Sequence, residues 1–170
     1  MTIEGRYDPH RALLDELLDV LDKHWQQIDA DIRTSPDPDS FGEFDRGEHL
    51  AGLSFVACQT YIAATCSRNR CTKPEGLALG EHLAPGITRA ALVNHAANYW
   101  KHCLDPGDDS RRDRTGEAFR AAGVPLDDSY PLSNVLSALV GQSSSPLRRL
   151  GEIVIEWGTI VEARGRRTRG

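Results

Sequence analysis

Hydrophobic residues recur at three- and four-residue steps along most of the chain, which is the period of an α-helix with one buried face. The first such segment is predicted to run from about Pro9 to Arg33, with Asp8 as its N-cap. Its predicted core stripe is Leu13, Leu14, Leu17, Leu18, Leu21, Trp25, Ile28 and Ile32. Its predicted outer face carries Asp15, Asp19, Asp22 and Asp29. The prolines in residues 35–39 end this amphipathic helix.

The second helical segment is predicted from about Phe44 to Ser67, and it is apolar nearly all round between residues 50 and 64. A helix that is apolar on most sides is central, with several packed neighbours. Gly52 in this segment predicts a close helix crossing. Residues 68–86 are rich in proline and glycine, so they predict a loop with one short helical turn near residues 75–79.

The rest of the chain also favours helices, and strand patterns are nearly absent. Further helices are predicted at residues 88–103, 115–122, 130–140 and 146–163. Thr88 is the predicted N-cap of the first of these, and Ser145 that of the last. The sequence therefore predicts an all-α fold, an up-down bundle of about four longer helices plus short ones. Residues 1–163 would form this single domain, and residues 164–170 a basic tail.

Charge divides the chain into an acidic beginning and a basic remainder. Residues 1–48 hold thirteen acids and five bases, and the remainder holds twelve acids and fifteen bases. The arginine-rich tail is either a solvated terminus or a nucleic-acid contact. No apolar run approaches the roughly 18 residues that span a bilayer, and no signal-peptide pattern opens the chain. The prediction is a cytoplasmic protein without a membrane partner, with reduced cysteines and no cofactor.

Polar side chains form a stripe along the predicted helix at residues 88–103. At about 100° per residue, the hydrogen-bonding members fall within about 60° of His95, opposite the predicted core face. These members are His95, Asn98, Tyr99 and His102. Imidazoles in such a stripe can transfer protons, bind a metal, or hydrogen-bond another helix or a second subunit.

The same helix carries an arginine, five intervening residues and a histidine, at Arg89 and His95. This run resembles the arginine–histidine signature of the HEPN superfamily, and residues 98–102 are similar to a segment of HEPN-like bacterial proteins. The resemblance implies a small all-α homodimer acting as a metal-independent RNase in toxin–antitoxin or phage-defence systems. It also implies RNA as substrate and an antitoxin-like protein as a further partner.

The resemblance implies specific roles for residues of this helix. His95 would move the proton at the RNA 2′-hydroxyl or at the leaving group, and Arg89 would stabilise charge on the phosphate. The products would end in a 2′,3′-cyclic phosphate. The predicted supporting residues are Asn94, Asn98, Tyr99 and His102.

Two alternatives use the same residues without RNA cleavage. In the first, His49 on the second helix joins His95 and His102 to bind a metal ion in the bundle. In the second, the protein is a non-catalytic interaction module that dimerises or binds a partner. In that case the acidic first helix meets a basic partner, or the polar stripe forms the dimer interface.

Overall fold

The computed structural model describes residues 8–103, 109–124 and 129–167. Seven α-helices and one small hairpin lie within this part of the chain, which confirms the all-α bundle. The elements are α1 (Pro9–Thr34), α2 (Glu43–Arg68), α3 (Lys73–Leu77), β1 (His82–Ala84), β2 (Ile87–Thr88), α4 (Arg89–His102), α5 (Asp109–Ala121), α6 (Pro131–Val140) and α7 (Pro146–Arg167).

The hairpin corrects the prediction that residues 68–86 form a loop. β1 and β2 pair antiparallel around Gly86, whose φ of 78° suits a tight turn. The predicted helical turn exists as α3, shifted towards the N-terminus. A capping box fixes its start, because the Glu75 amide donates to the Thr72 hydroxyl and the Glu75 carboxylate accepts from the Thr72 amide.

Two other helix boundaries differ from the prediction. α5 begins at Asp109, whereas the prediction placed its start at residue 115. Residues 109–114 lack the apolar stripe on which the prediction relied, but they contain no proline or glycine that would end a helix. α7 continues to Arg167, so the predicted tail from Arg164 starts as the last turn of this helix. Cationic side chains are favourable there because they face the negative end of the helix dipole.

Helix α2 occupies the middle of the bundle and packs against α1, α4, α6 and α7. The predicted close crossing at Gly52 is confirmed, since a Cβ at this position would collide with the indole of Trp100. α2 is also long and apolar enough to cross a membrane, with a mean hydropathy of 1.3 over 18 residues, contrary to the sequence-based expectation. Of this 18-residue segment of α2, 56 % is buried inside the fold, as in the core helix of a globular domain.

Helix α1 departs from its predicted stripe on both faces. Leu14, Leu18 and Ile28 are buried as predicted, whereas Leu13 is 64 % exposed and Leu17 is 43 % exposed. Asp22, predicted on the outer face, is only 1 % exposed. The core face of α1 is therefore rotated from the predicted one, and the side chains that are buried depend on where α2 and α7 pack against this helix.

The burial of Asp22 has a specific cause. Its Oδ1 accepts the backbone N–H of Leu147 at 2.8 Å, so it satisfies an amide at the start of α7 that has no partner within the helix. The Ser145 hydroxyl, predicted to cap α7, instead accepts from the side-chain amide of Gln26 at 3.3 Å. A residue of α1 thus caps a helix more than a hundred positions away in sequence.

Glu48 of α2 caps the start of α6 in the same way as Asp22 caps α7. Its two carboxylate oxygens accept the backbone N–H groups of Leu132 and Ser133 at 2.7 and 2.8 Å. The Ser133 hydroxyl donates to the same carboxylate. Negative charge at a helix N-terminus is favourable, so Glu48 anchors the start of α6 to the central helix.

Candidate functional site

Helix α4 carries the residues singled out by sequence, and it lies between α2 and α5. Thr88 caps α4 as predicted, with its hydroxyl accepting the Ala91 N–H at 3.1 Å. The predicted polar stripe is not an open outer face: His95, Asn98, Tyr99 and His102 are all half-buried. The flanking helices cover it from both sides, which the angles along one helix could not reveal.

The α2 side of the stripe is a hydrogen-bond network centred on Gln59. Its Nε2 donates to the side-chain oxygens of Asn94 and Asn98, each at 2.8 Å. Its Oε1 accepts from the Lys101 ammonium group at 2.6 Å. Gln59 is buried, so its amide is satisfied by α4 rather than by water. Asn94 and Asn98, predicted to support a substrate, here join α4 to α2.

The α5 side of the stripe holds Tyr99 and His95. The rings of Tyr99 and Phe119 lie 5.7 Å apart, so Tyr99 packs against α5. The positive charge of Arg114, a residue of α5, also acts on the His95 imidazole. Burial, together with the positive charge of Arg114, lowers the pKa of His95 below its ordinary value. The imidazole is therefore neutral at pH 7, the form that accepts a proton.

Arg89 lies at the start of α4 on another side of the helix. Its guanidinium pairs with Glu81 at 3.1 Å. It lines a 120 Å³ cleft whose other walls include Glu156 and Trp157. Six residues along an ideal helix correspond to a rise of about 9 Å and an angle of about 120°. One protomer thus does not bring Arg89 and His95 together. The carboxylate of Glu81 on Arg89, with that of Glu156 in the wall of the same cleft, disfavours a phosphate there.

The metal-binding alternative receives no support from the geometry. In the described ranges, no three His, Cys, Asp or Glu side chains are grouped so as to hold a metal ion. His49 is exposed, and its ring meets the Trp100 ring edge-on at 4.9 Å. The set His49, His95 and His102 is thus not assembled into a site.

Lys101 and Gln59 belong to the hydrogen-bond network but were not among the residues predicted for the site. Asn94, Asn98 and Lys101 recur at four- and three-residue steps, so they share one face of α4, and this periodicity was the available signal. Gln59 stands in an apolar helix, where a polar side chain needs a partner. Which helix supplies that partner depends on packing, which the sequence does not show.

Comparison of the chain with protein-family models, with curated proteins and with solved structures finds no match. The resemblance to HEPN proteins therefore still rests on the Arg89–His95 spacing and the all-α class. RNA cleavage, dimerisation and an antitoxin-like partner remain predictions.

Proposed function

We propose that this chain is a non-catalytic helical interaction module in which two copies pair through α1 and α2. One observation carries the proposal: α1 exposes three aliphatic side chains on one stripe, with Leu13 64 %, Leu17 43 % and Val20 52 % exposed. Four- and three-residue steps place them on one face of α1. An exposed helical stripe of this kind is typical of a surface that another helix covers.

Helix α2 contributes to the same surface. Leu53 is 49 % exposed, and it stands two turns from Arg46 on the same face of α2. Arg46 reaches across to Asp31 of α1 at 3.7 Å. Asp31 stands five turns from Leu13, on the face of α1 that carries the stripe. The ion pair thus shows that the two exposed faces adjoin. We call the surface that they form the α1–α2 face and define it by its exposed aliphatic residues Leu13, Leu17, Val20 and Leu53.

The pattern of charges favours a second copy in antiparallel orientation. Leu13, Leu17, Val20 and His24 occupy the d, a, d and a positions of a heptad repeat, which places Glu16 and Lys23 at g positions. In an antiparallel pair that sets Leu17 opposite Val20 of the second copy, Glu16 lies opposite the second copy's Lys23. The twofold axis repeats this contact, so two ion pairs flank the aliphatic stripe. Glu16 and Lys23 are both exposed.

The size of a stable interface explains why both helices are needed. Specific interfaces bury about 800 Å² on each partner. Three aliphatic side chains on one helix provide only part of that area. With α2 included, α1 and α2 of two copies would form a four-helix arrangement around the α1–α2 face.

The experiment is a measurement of native mass. We expect the wild-type chain to sediment at about twice its 18.8 kDa at micromolar concentration, and Leu17→Glu to sediment as a folded monomer, because the carboxylate would be buried against an apolar partner. The matched control is Ile160→Glu, which changes an aliphatic side chain of α7 that is 44 % exposed. This control should remain dimeric.

Two outcomes would overturn this function. One is a wild-type monomer at every concentration tested. The other is a monomer that dimerises only after removal of residues 1–7, which would assign the α1–α2 face to the N-terminal segment of the same chain.

As the alternative to a non-catalytic module, we propose metal-independent RNA cleavage at His95. The half-buried position of His95 supports this alternative, because burial and the positive charge of Arg114 lower the pKa of His95 and keep its imidazole neutral, the form that removes a proton. His95 would take the proton of the RNA 2′-hydroxyl, whose oxygen attacks phosphorus. The bond between phosphorus and the 5′-oxygen would then break, the 5′-oxygen would take a proton from water, and a 2′,3′-cyclic phosphate would remain.

The test is a cleavage assay on total cellular RNA treated with a chelator. We expect the wild-type chain to cut RNA with cyclic phosphate ends, and His95→Ala to lose this activity by at least about a hundredfold. His82→Ala, which removes an exposed histidine of β1, is the matched control. Equal cleavage by wild type and His95→Ala, or none by either, would leave only the interaction module.

A further inference from the structure

A cleft of about 280 Å³ opens where α1, α2 and the start of α6 meet. Its walls carry three aromatic rings, from Trp25, Phe44 and Tyr130, and two carboxylates, from Asp29 and Glu43. The rings come from three different segments, and they do not belong to the α1–α2 face or to the stripe on α4. Aromatic walls combined with acidic groups are the chemistry that recognises an organic cation.

Tyr130 is held in the cleft by an uncommon backbone conformation. Its φ of 59° and ψ of 52° lie in the left-handed region, which side chains larger than glycine rarely adopt. The Tyr130 hydroxyl donates to Asp39 at 3.0 Å, and its ring centre lies 5.6 Å from that of Phe44. Strained residues of this kind concentrate at binding sites. The conformation keeps the Tyr130 ring beside Phe44 at the cleft.

The electrostatic environment around Tyr130 is negative. The hydrogen bond to Asp39, burial, and the charges of Asp39, Asp45 and Glu48 all raise the pKa of Tyr130 above its ordinary value. A cation on the Tyr130 ring would therefore be favoured by the charges of Asp39, Asp45 and Glu48 as well as by the ring face.

The carboxylates have limited capacity to accept further hydrogen bonds. Asp29 pairs with the exposed Arg33 and Glu43 with the exposed Arg46, both at 2.6 Å. Glu48, nearby, is engaged by the start of α6. A primary ammonium or a guanidinium would lose its water without gaining enough acceptors. A trimethylammonium group has no N–H to satisfy, and its methyl groups pack on aromatic faces.

We infer that the cleft between α1, α2 and α6 binds a trimethylammonium group. The volume of about 280 Å³ lies just below the range of ligand sites, which begins at about 300 Å³, so the site accommodates one such headgroup and little more. Either a free molecule or a trimethylated lysine side chain could present this group. The inference does not depend on self-association or on RNA cleavage.

The experiment titrates ¹⁵N-labelled protein with choline and follows the indole N–H signals of its three tryptophans. We expect a saturable shift of the Trp25 signal. The Trp157 signal should stay in place, because its Nε1 donates to the Gly76 carbonyl at 2.9 Å inside the core. The neutral isostere 3,3-dimethyl-1-butanol, which has the shape of choline without the charge, should bind at least about tenfold more weakly.

Two variants test where choline binds, and a peptide tests which kind of molecule supplies the trimethylammonium group. Phe44→Leu should weaken choline binding about tenfold, whereas Phe41→Leu, which changes a ring that is 69 % exposed outside the cleft walls, should not. An unchanged Trp157 signal confirms that each variant is folded.

Tighter binding of a short peptide with trimethyl-lysine would point to a modified protein as the ligand. Tighter binding of choline would point to a free metabolite. Equal affinity for choline and its isostere, or no Trp25 shift, would overturn the inference.

Discussion

Asp8 shows how much structure one carboxylate can organise. It caps α1 by accepting the backbone N–H groups of His10 and Arg11. It also accepts two hydrogen bonds from the Arg68 guanidinium, at 2.8 and 2.9 Å. Arg68 in turn pairs with Glu162 of α7 at 3.0 Å. One end each of α1 and α2 is thereby tied to α7.

The protonation of Asp8 should govern part of the acid sensitivity of the fold. Partial burial acts to raise the pKa of Asp8, but the hydrogen bonds and charge of Arg68 and the backbone amides outweigh it, so this pKa is lowered. A lowered pKa stabilises the folded state above the unfolded-state pKa, and this contribution is lost as pH falls through the folded-state value.

We therefore expect Asp8→Asn to lower the free energy of unfolding by about 1 kcal/mol at pH 7. The difference from wild type should shrink towards zero as pH falls below about 3.9, the ordinary aspartate pKa. Asparagine still caps a helix, so the variant isolates the charge. Urea unfolding at several pH values measures the difference, and Asp15→Asn is the exposed control. A difference that is independent of pH would contradict the assignment.

At the scale of helices, the two sides of α1 have different roles. Its buried side packs against α2 and α7, and its Asp22 caps α7. Its exposed side carries the aliphatic stripe proposed to pair with a second copy. In the proposed pairing the g-position charges favour the antiparallel orientation, since an antiparallel arrangement would join Glu16 to Lys23 of the second copy and a parallel one would not.

A charge exchange tests the orientation of α1. Glu16→Lys alone should weaken the dimer about tenfold, because two attractive contacts become repulsive. Lys23→Glu should do the same, and the double variant should regain nearly wild-type affinity. Sedimentation equilibrium over a range of concentrations gives the three dissociation constants. A double variant whose loss of binding free energy equals the sum of the two single-variant losses would exclude the antiparallel pair.

At the scale of the molecule, the acidic N-terminal third has a structural use that composition does not reveal. Asp22 and Glu48 are directed at the N-termini of α7 and α6, where helix dipoles favour negative charge. Asp29 and Glu43 line the aromatic cleft. The acidity expected to attract a basic partner is thus divided between capping, the cleft and solvent.

The sequence by itself determined the helices and most of their ends. The period of its apolar residues, the caps Asp8 and Thr88 and the prolines near helix starts are local signals, because a helix is closed by bonds between residues four apart. The same signals identified Gly52 as a crossing point. The polar character of α4 was likewise visible, since it depends only on spacing along one helix.

Only the tertiary structure decided what each polar residue does. The contact of Gln59 with α4, the burial of Asp22 and the separation of Arg89 from His95 depend on which helices become neighbours. The aromatic cleft and the α1–α2 face depend on the same choice, since each is assembled from different helices. Such contacts join positions far apart in the chain, and the periodicity of one segment carries no information about the segment that will cover it.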